Sequence, residues 1–152
     1  MNVLSKGITG FNKPKDLKQH AIEEIEHLIK SIKYPFVIIG EIKSPNETTN
    51  YYRISIKNKI ENNSFDVLLN MYFWILSSVK PASSWMNLAF LEFDTQLKKQ
   101  IINHNIEVNI LGLEILNQEA SINELEILGK AEVQQVEYWE SKTYGEIIFN
   151  GV

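Results

Sequence analysis

Three observations predict an α+β fold: an amphipathic helical stretch near the start of the chain, alternating apolar patterns between turn-rich segments in its middle, and helix-capping spacings in its last third. No internal repeat, linker or low-complexity tract divides the 152 residues. They are read as a single α+β domain, 1–152, in which the first helix packs on a largely antiparallel sheet and short helices lie between the later strands. A chain of this length buries roughly two thirds of the surface it exposes when unfolded, so one core is expected.

The helix is predicted over residues 16–33, where Ile22, Ile25, Ile29 and Ile32 recur on one face. Asp16 is placed to cap it, Glu23, Glu24 and Glu26 lie towards its start, and Lys30 and Lys33 close it, matching the helix dipole. Pro35 stops it. Phe36-Val37-Ile38-Ile39-Gly40-Glu41-Ile42 reads as a strand, followed by a turn-rich segment at 44–50. Tyr52, Ile54 and Ile56 then alternate with Arg53, Ser55 and Lys57, which predicts a hairpin. Residues 65–79 are apolar on both parities, as in a strand covered on both faces or a buried helix. After the break at 81–84, Trp85-Met86-Asn87-Leu88-Ala89-Phe90-Leu91 reads as a further strand.

Asp94 is placed to cap a short helix carrying Leu97 and Ile101. Residues 106–116 read as a strand with a bulge near Ile110 and Leu111. Ser121-Ile122-Asn123-Glu124 has the spacing of a capping box, with Gly129 as the stop of that helix. Residues 131–139 read as a last strand. Thr143-Tyr144-Gly145-Glu146 repeats the capping spacing before a closing helical turn.

Composition narrows the chemistry. The chain has no cysteine, which excludes disulfides, thiolate metal sites and a cysteine nucleophile. Met1-Asn2-Val3-Leu4-Ser5-Lys6 contains no signal-like apolar region and no run approaches the length of a membrane span, so a cytoplasmic protein with no membrane partner is expected. The net charge of −4 is uneven: residues 1–93 hold 11 Lys/Arg against 9 Asp/Glu, and residues 94–152 hold 4 against 10. An acidic second half, and a single arginine at Arg53, argue against nucleic acid as a partner.

No constellation reaches the standard of a catalytic signature, so no catalytic residue and no cofactor are assigned. There is no Gly-x-Ser-x-Gly elbow and no glycine-rich phosphate loop. His20, Glu24 and His27 share one helical face at spacings that suit a metal, against the simpler reading of a solvated polar face. His104 is read as a helix cap. Asp66 and Glu92 are the carboxylates expected to be partly buried, and Tyr72, Phe73 and Trp74 are read as core.

The tail differs in kind, because Glu137, Tyr138, Trp139, Glu140, Tyr144 and Glu146 mix aromatics with acids, the composition of a protein-binding hot spot facing a basic partner, against the simpler reading that Trp139, Ile147, Ile148 and Phe149 seal the sheet against the first helix. Together with Gly7-Ile8-Thr9-Gly10-Phe11 near the start, the run Tyr138-Trp139 and Thr143-Tyr144-Gly145-Glu146-Ile147-Ile148-Phe149-Asn150 resembles small bacterial immunity proteins of polymorphic or contact-dependent toxin systems. The chain departs from that pattern by ending Asn150-Gly151-Val152 without a final Trp. The resemblance implies a cytosolic protein that plugs the active site of a cognate toxin, such as a nuclease; the mixed acidic and aromatic composition of the tail marks Glu137, Tyr138, Glu140, Tyr144 and Glu146 as the expected contacts. An alternative expectation is a small-molecule-binding or enzymatic domain with a pocket between sheet and first helix, lined by Tyr72, Trp74 and Trp85. A homo-oligomer built through unpaired strand edges is a third.

Overall fold

The computed structural model of the protein describes residues 3–11, 16–85, 87–104 and 106–150; Met1, Asn2, Met86, Gly151 and Val152, named above, lie outside them. Among the described residues a six-stranded sheet forms the middle layer. Its strands β1 (Phe36–Ile38), β2 (Tyr51–Asn58), β3 (Asn63–Asn70), β4 (Ile75–Val79) and β5 (Phe90–Leu91) neighbour one another in chain order and pair antiparallel. The sixth, β6 (Asn109–Ile110), pairs parallel with β4. One edge of β4 is thus shared end to end, with Ser78 and Val79 opposite β5 and Ile75 and Leu76 opposite β6.

The doubly apolar stretch at 65–79 is two antiparallel strands rather than one long strand or a helix. Asn70 makes the turn between them: its side-chain carbonyl accepts from the Tyr72 and Phe73 amides at 3.0 and 3.1 Å. Both parities are apolar because both faces are covered. Phe65, Val67 and Leu69 join a core with Leu28 of α1 (Ile22–Ser31) and with Leu97 and Ile101 of α2 (Thr95–Asn103). Leu68, Ile75 and Val79 join a second core with Leu4, Ile8, Val136, Ile147 and Ile148.

Asp16 does not cap the first helix, which begins at Ile22 after Ala21, whose amide donates to Glu24 Oε1 at 3.0 Å. Its buried face is centred on Leu28, and Ile22 is 72 % exposed, so the isoleucine stripe is displaced from the core at its first member. The second helix follows expectation: the Asp94 side chain accepts from the amides of Gln96 and Leu97, and Leu97 and Ile101 are buried. His104 closes it through its backbone amide, which donates to Ile101 and Ile102.

The last third departs most from the sequence reading. The expected strand at 106–116 is the two-residue β6 followed by α3 (Leu113–Leu116). Ser121 caps α4 (Ile122–Leu125) as its spacing predicts. The expected strand at 131–139 is instead a helix, α5 (Lys130–Tyr138). Gly129 stands at its start, not at a helix end, and donates its amide to Glu132 Oε1 at 3.1 Å. Val133 and Val136, three residues apart, face the core, which is helical periodicity where alternation is expected. Thr143 and Glu146 form the capping box of α6 (Tyr144–Ile148). Four helices, α3 to α6, therefore follow the last strand rather than lying between strands.

Candidate functional site

The two sequence motifs at the ends of the chain meet in the interior. Gly7 and Gly10 have φ of +91° and +80°, a left-handed backbone that glycine adopts without strain. That conformation turns the amides of Gly7 and Thr9 towards the Glu132 carboxylate, which accepts from them at 2.6 and 3.0 Å and also from the Thr9 hydroxyl. Glu132 is only 1 % exposed. A buried carboxylate is tolerated when donors surround it, and here four do, counting Gly129.

Asn50 and Asn70, both fully buried, join the two ends. The Asn50 side-chain amide donates to the carbonyls of Ile8, Thr9 and Ile148, and its Oδ1 accepts from the Asn150 amide at 2.8 Å. The Asn70 amide donates to Ile8 and Ile148, both at 2.9 Å. Glu124 adds a further tie, accepting from the amides of Val3 and Leu4 and from the Tyr144 hydroxyl. Burial alone would raise the Glu124 carboxyl, but the hydrogen bonds from Tyr144, Leu4 and Val3 hold it below its ordinary value. Tyr144 is pushed upward, first by burial and then by that carboxylate.

This terminal clasp corrects the expected contact set. Tyr144 is 4 % exposed and belongs to the core. Glu146 is exposed, yet its carboxylate is engaged in capping, accepting from the Thr143 amide and hydroxyl. Gly145 is required by close approach: a Cβ there would lie 2.6 Å from a Phe90 ring carbon and 3.0 Å from the Leu116 carbonyl oxygen.

The other tail residues are at the surface. Tyr138 is 76 % and Trp139 48 % exposed, with their rings edge to face at 5.2 Å. Glu137 and Glu140 are exposed beside them. The position is set by the end of α5, where the Glu140 amide donates to Glu137 O at 3.2 Å and the Ser141 amide to Val136 O at 3.0 Å. That paired closure places one residue in the left-handed region, ordinarily glycine. Here it is Glu140, at φ +54°. Trp139 also lines a groove of about 320 Å³ with Trp85, Phe90, Thr143, Glu146 and Phe149. Trp85 is 38 % exposed and, like Phe90, is an aromatic of this groove that the tail sequence does not disclose, since it arrives from the turn before β5.

No family model, curated protein or solved structure matches the chain.

The remaining candidates separate. The His20 ring nitrogen Nε2 lies 2.9 and 3.1 Å from the carbonyls of Asn70 and Phe73, and the ring lies tilted by 39° against Trp74 with centroids 4.1 Å apart. Glu24 is occupied at the start of α1, and His27 lies instead against His104. The trio of His20, Glu24 and His27 does not converge, and no group of three or more metal-binding side chains does so among the described residues. Asp66 is buried against Arg53, whose Nε donates to it at 2.6 Å, whereas Glu92 accepts from the Leu113 amide at 3.2 Å. Each carboxylate has its own partner, and they do not form a reacting pair. The space between sheet and first helix is filled by core residues; a trough of about 670 Å³ lies on the opposite face, lined by Arg53, Asp66, Ser55, Ser64, Tyr51 and Trp85. Among the described residues no helix is long and apolar enough to cross a membrane.

Proposed function

We propose that this chain is a protein inhibitor of the immunity type, which neutralises a cognate toxin domain by covering a basic active-site groove with the surface around Tyr138 and Trp139. The observation that supports this most directly is the exposure of two adjacent aromatics, followed at once by a glutamate in a left-handed conformation that glycine would occupy more cheaply. Aromatic anchors of this kind contribute most of the energy at protein interfaces. A backbone held in such a conformation without glycine costs about 1 kcal/mol, and such positions cluster where a side chain is needed for function. Glu137 and Glu140 give the surface the negative charge that steers association with a basic partner. The acidic balance of residues 94–152 acts in the same direction.

Co-expression with a candidate toxin domain taken from the neighbouring reading frames tests the reading. Growth is expected to be rescued by the wild-type chain and not by Tyr138→Ala/Trp139→Ala, while Glu137→Lys/Glu140→Lys weakens the complex and flattens its salt dependence. Rescue that survives both double substitutions, in variants shown to be folded, would sink it.

A second reading, a small-molecule-binding domain, draws on the trough beside Arg53. The guanidinium is already engaged by Asp66, Ser83 and the carbonyl of Lys80. The trough is thus built around an internally satisfied ion pair, which favours the protein-binding reading.

A further inference from the structure

His27 and His104, remote in sequence, come together at the seam between α1 and α2. Their ring centroids are 4.6 Å apart and their planes are inclined at 43°. His27 is exposed and His104 half-buried. Among the described residues neither ring makes a hydrogen bond to a protein group, in contrast to His20, whose nitrogen lies on two carbonyls.

The backbone beneath this pair is fixed. Gln100 of α2 accepts from the Lys33 amide at 2.8 Å and donates to the carbonyls of Lys33 and Tyr34 at 3.1 and 3.2 Å, clamping α2 to the end of α1. His104 follows Gln100 by four residues and His27 precedes Lys33 by six, so the second contact lies further along α2 and further back along α1. The backbone amide of His104 is also anchored as the cap of α2. Two imidazoles are thus carried by a two-point seam rather than by loose loops.

We propose that His27 and His104 form a two-imidazole site for a first-row divalent transition ion, with Zn2+ as a ligand, Cu2+ bound more tightly, and water completing the coordination sphere. Imidazole nitrogen suits these ions and not Mg2+ or Ca2+. Two imidazoles bound to one metal at about 2.0–2.1 Å set their ring centroids about 4.5 Å apart at a ligand angle of about 90° and about 5.2 Å apart at the tetrahedral angle. The observed 4.6 Å matches neighbouring positions of a tetragonal Cu2+ site, and tetrahedral Zn2+ requires the rings to part by roughly 0.6 Å. The exposed glutamates of α1, Glu23, Glu24 and Glu26, add negative potential near the site without ligating. Bound metal would link α1 to α2 and stabilise the folded chain by mass action.

The test is isothermal titration of untagged protein with Zn2+ at pH 7.5, paired with thermal unfolding and with electron paramagnetic resonance of the Cu2+ complex. The wild type is expected to bind one ion saturably, to melt at higher temperature in its presence, and to show nitrogen coupling from two imidazoles. His27→Gln and His104→Gln, both at surface positions, should each weaken Zn2+ binding by at least about tenfold, whereas His20→Gln, confirmed as folded by circular dichroism, should not. Lowering the pH should weaken binding, because the ligand is the neutral imidazole. The proposal is overturned by the absence of saturable binding, by affinity undiminished in either His27→Gln or His104→Gln, or by loss of binding on substituting His20. None of these outcomes depends on the toxin-binding reading.

Discussion

Two parts of the same tail have opposite fates. Residues 143–150 are drawn into the terminal clasp, with Tyr144 hydrogen-bonded to Glu124 and the backbone of Ile148 and Asn150 held by Asn50 and Asn70. Residues 137–140, a few positions earlier, present two aromatics and two carboxylates to solvent. Both stretches mix Tyr, Glu and apolar residues, so composition does not separate them. What separates them is whether the polar atoms have partners inside the fold: every polar side chain of the clasp has one, and a polar group without one costs too much to bury.

That contrast predicts a gradient of stability effects. Asn70→Ala and Glu132→Ala lie at the top, each leaving several buried donors or acceptors unpaired and costing roughly 3 kcal/mol in denaturant unfolding. A loss under about 1 kcal/mol for both would mean that the clasp is not a structural centre. Gly145→Ala comes next, at about 1–3 kcal/mol, because Phe90 must move to admit the new methyl group.

Glu124 should make the clasp acid-sensitive. Its folded carboxyl lies below the ordinary value, so its contribution to stability is complete above the unfolded value near 4.5 and is lost as the pH falls through the folded one. Comparing wild type and Glu124→Gln, the stability difference should shrink as the pH is lowered past that range. A difference that is constant from pH 7 to pH 3 would contradict the assignment.

On the exposed side the effects should be small and reach the opposite sign. Glu140→Gly is expected to stabilise the chain by about 0.5–1 kcal/mol by relieving the left-handed residue, while weakening toxin binding. Tyr138→Ala/Trp139→Ala should change stability by less than about 1 kcal/mol, measured by thermal unfolding. A large loss there would move the two aromatics from the surface to the support of the fold.

Much of the fold was legible where local chemistry decides structure. The caps at Asp94, Ser121 and Thr143 were readable because each satisfies amides two or three residues away, and the β1–β2 hairpin because its alternation reports one covered face. Legibility failed at 65–79 because apolar residues on both parities hid the turn that Asn70 makes, although an asparagine within an apolar run was a signal. It failed again at 131–139, where Val133 and Val136 fit a helix no less than an interrupted strand, and the deciding contact is Glu132 reaching back to Gly129 and on to Gly7 and Thr9.

The sequence by itself determined the α+β class, the short capped helices, the acidic second half and the lack of thiol chemistry, since these depend on neighbours in the chain or on composition alone. Only the tertiary structure decided that Tyr144 is core and Tyr138 surface, that Trp85 lies beside Trp139, and that His27 meets His104 rather than His20. Those outcomes rest on contacts between distant segments and on the pairing of buried polar atoms, which no local pattern encodes.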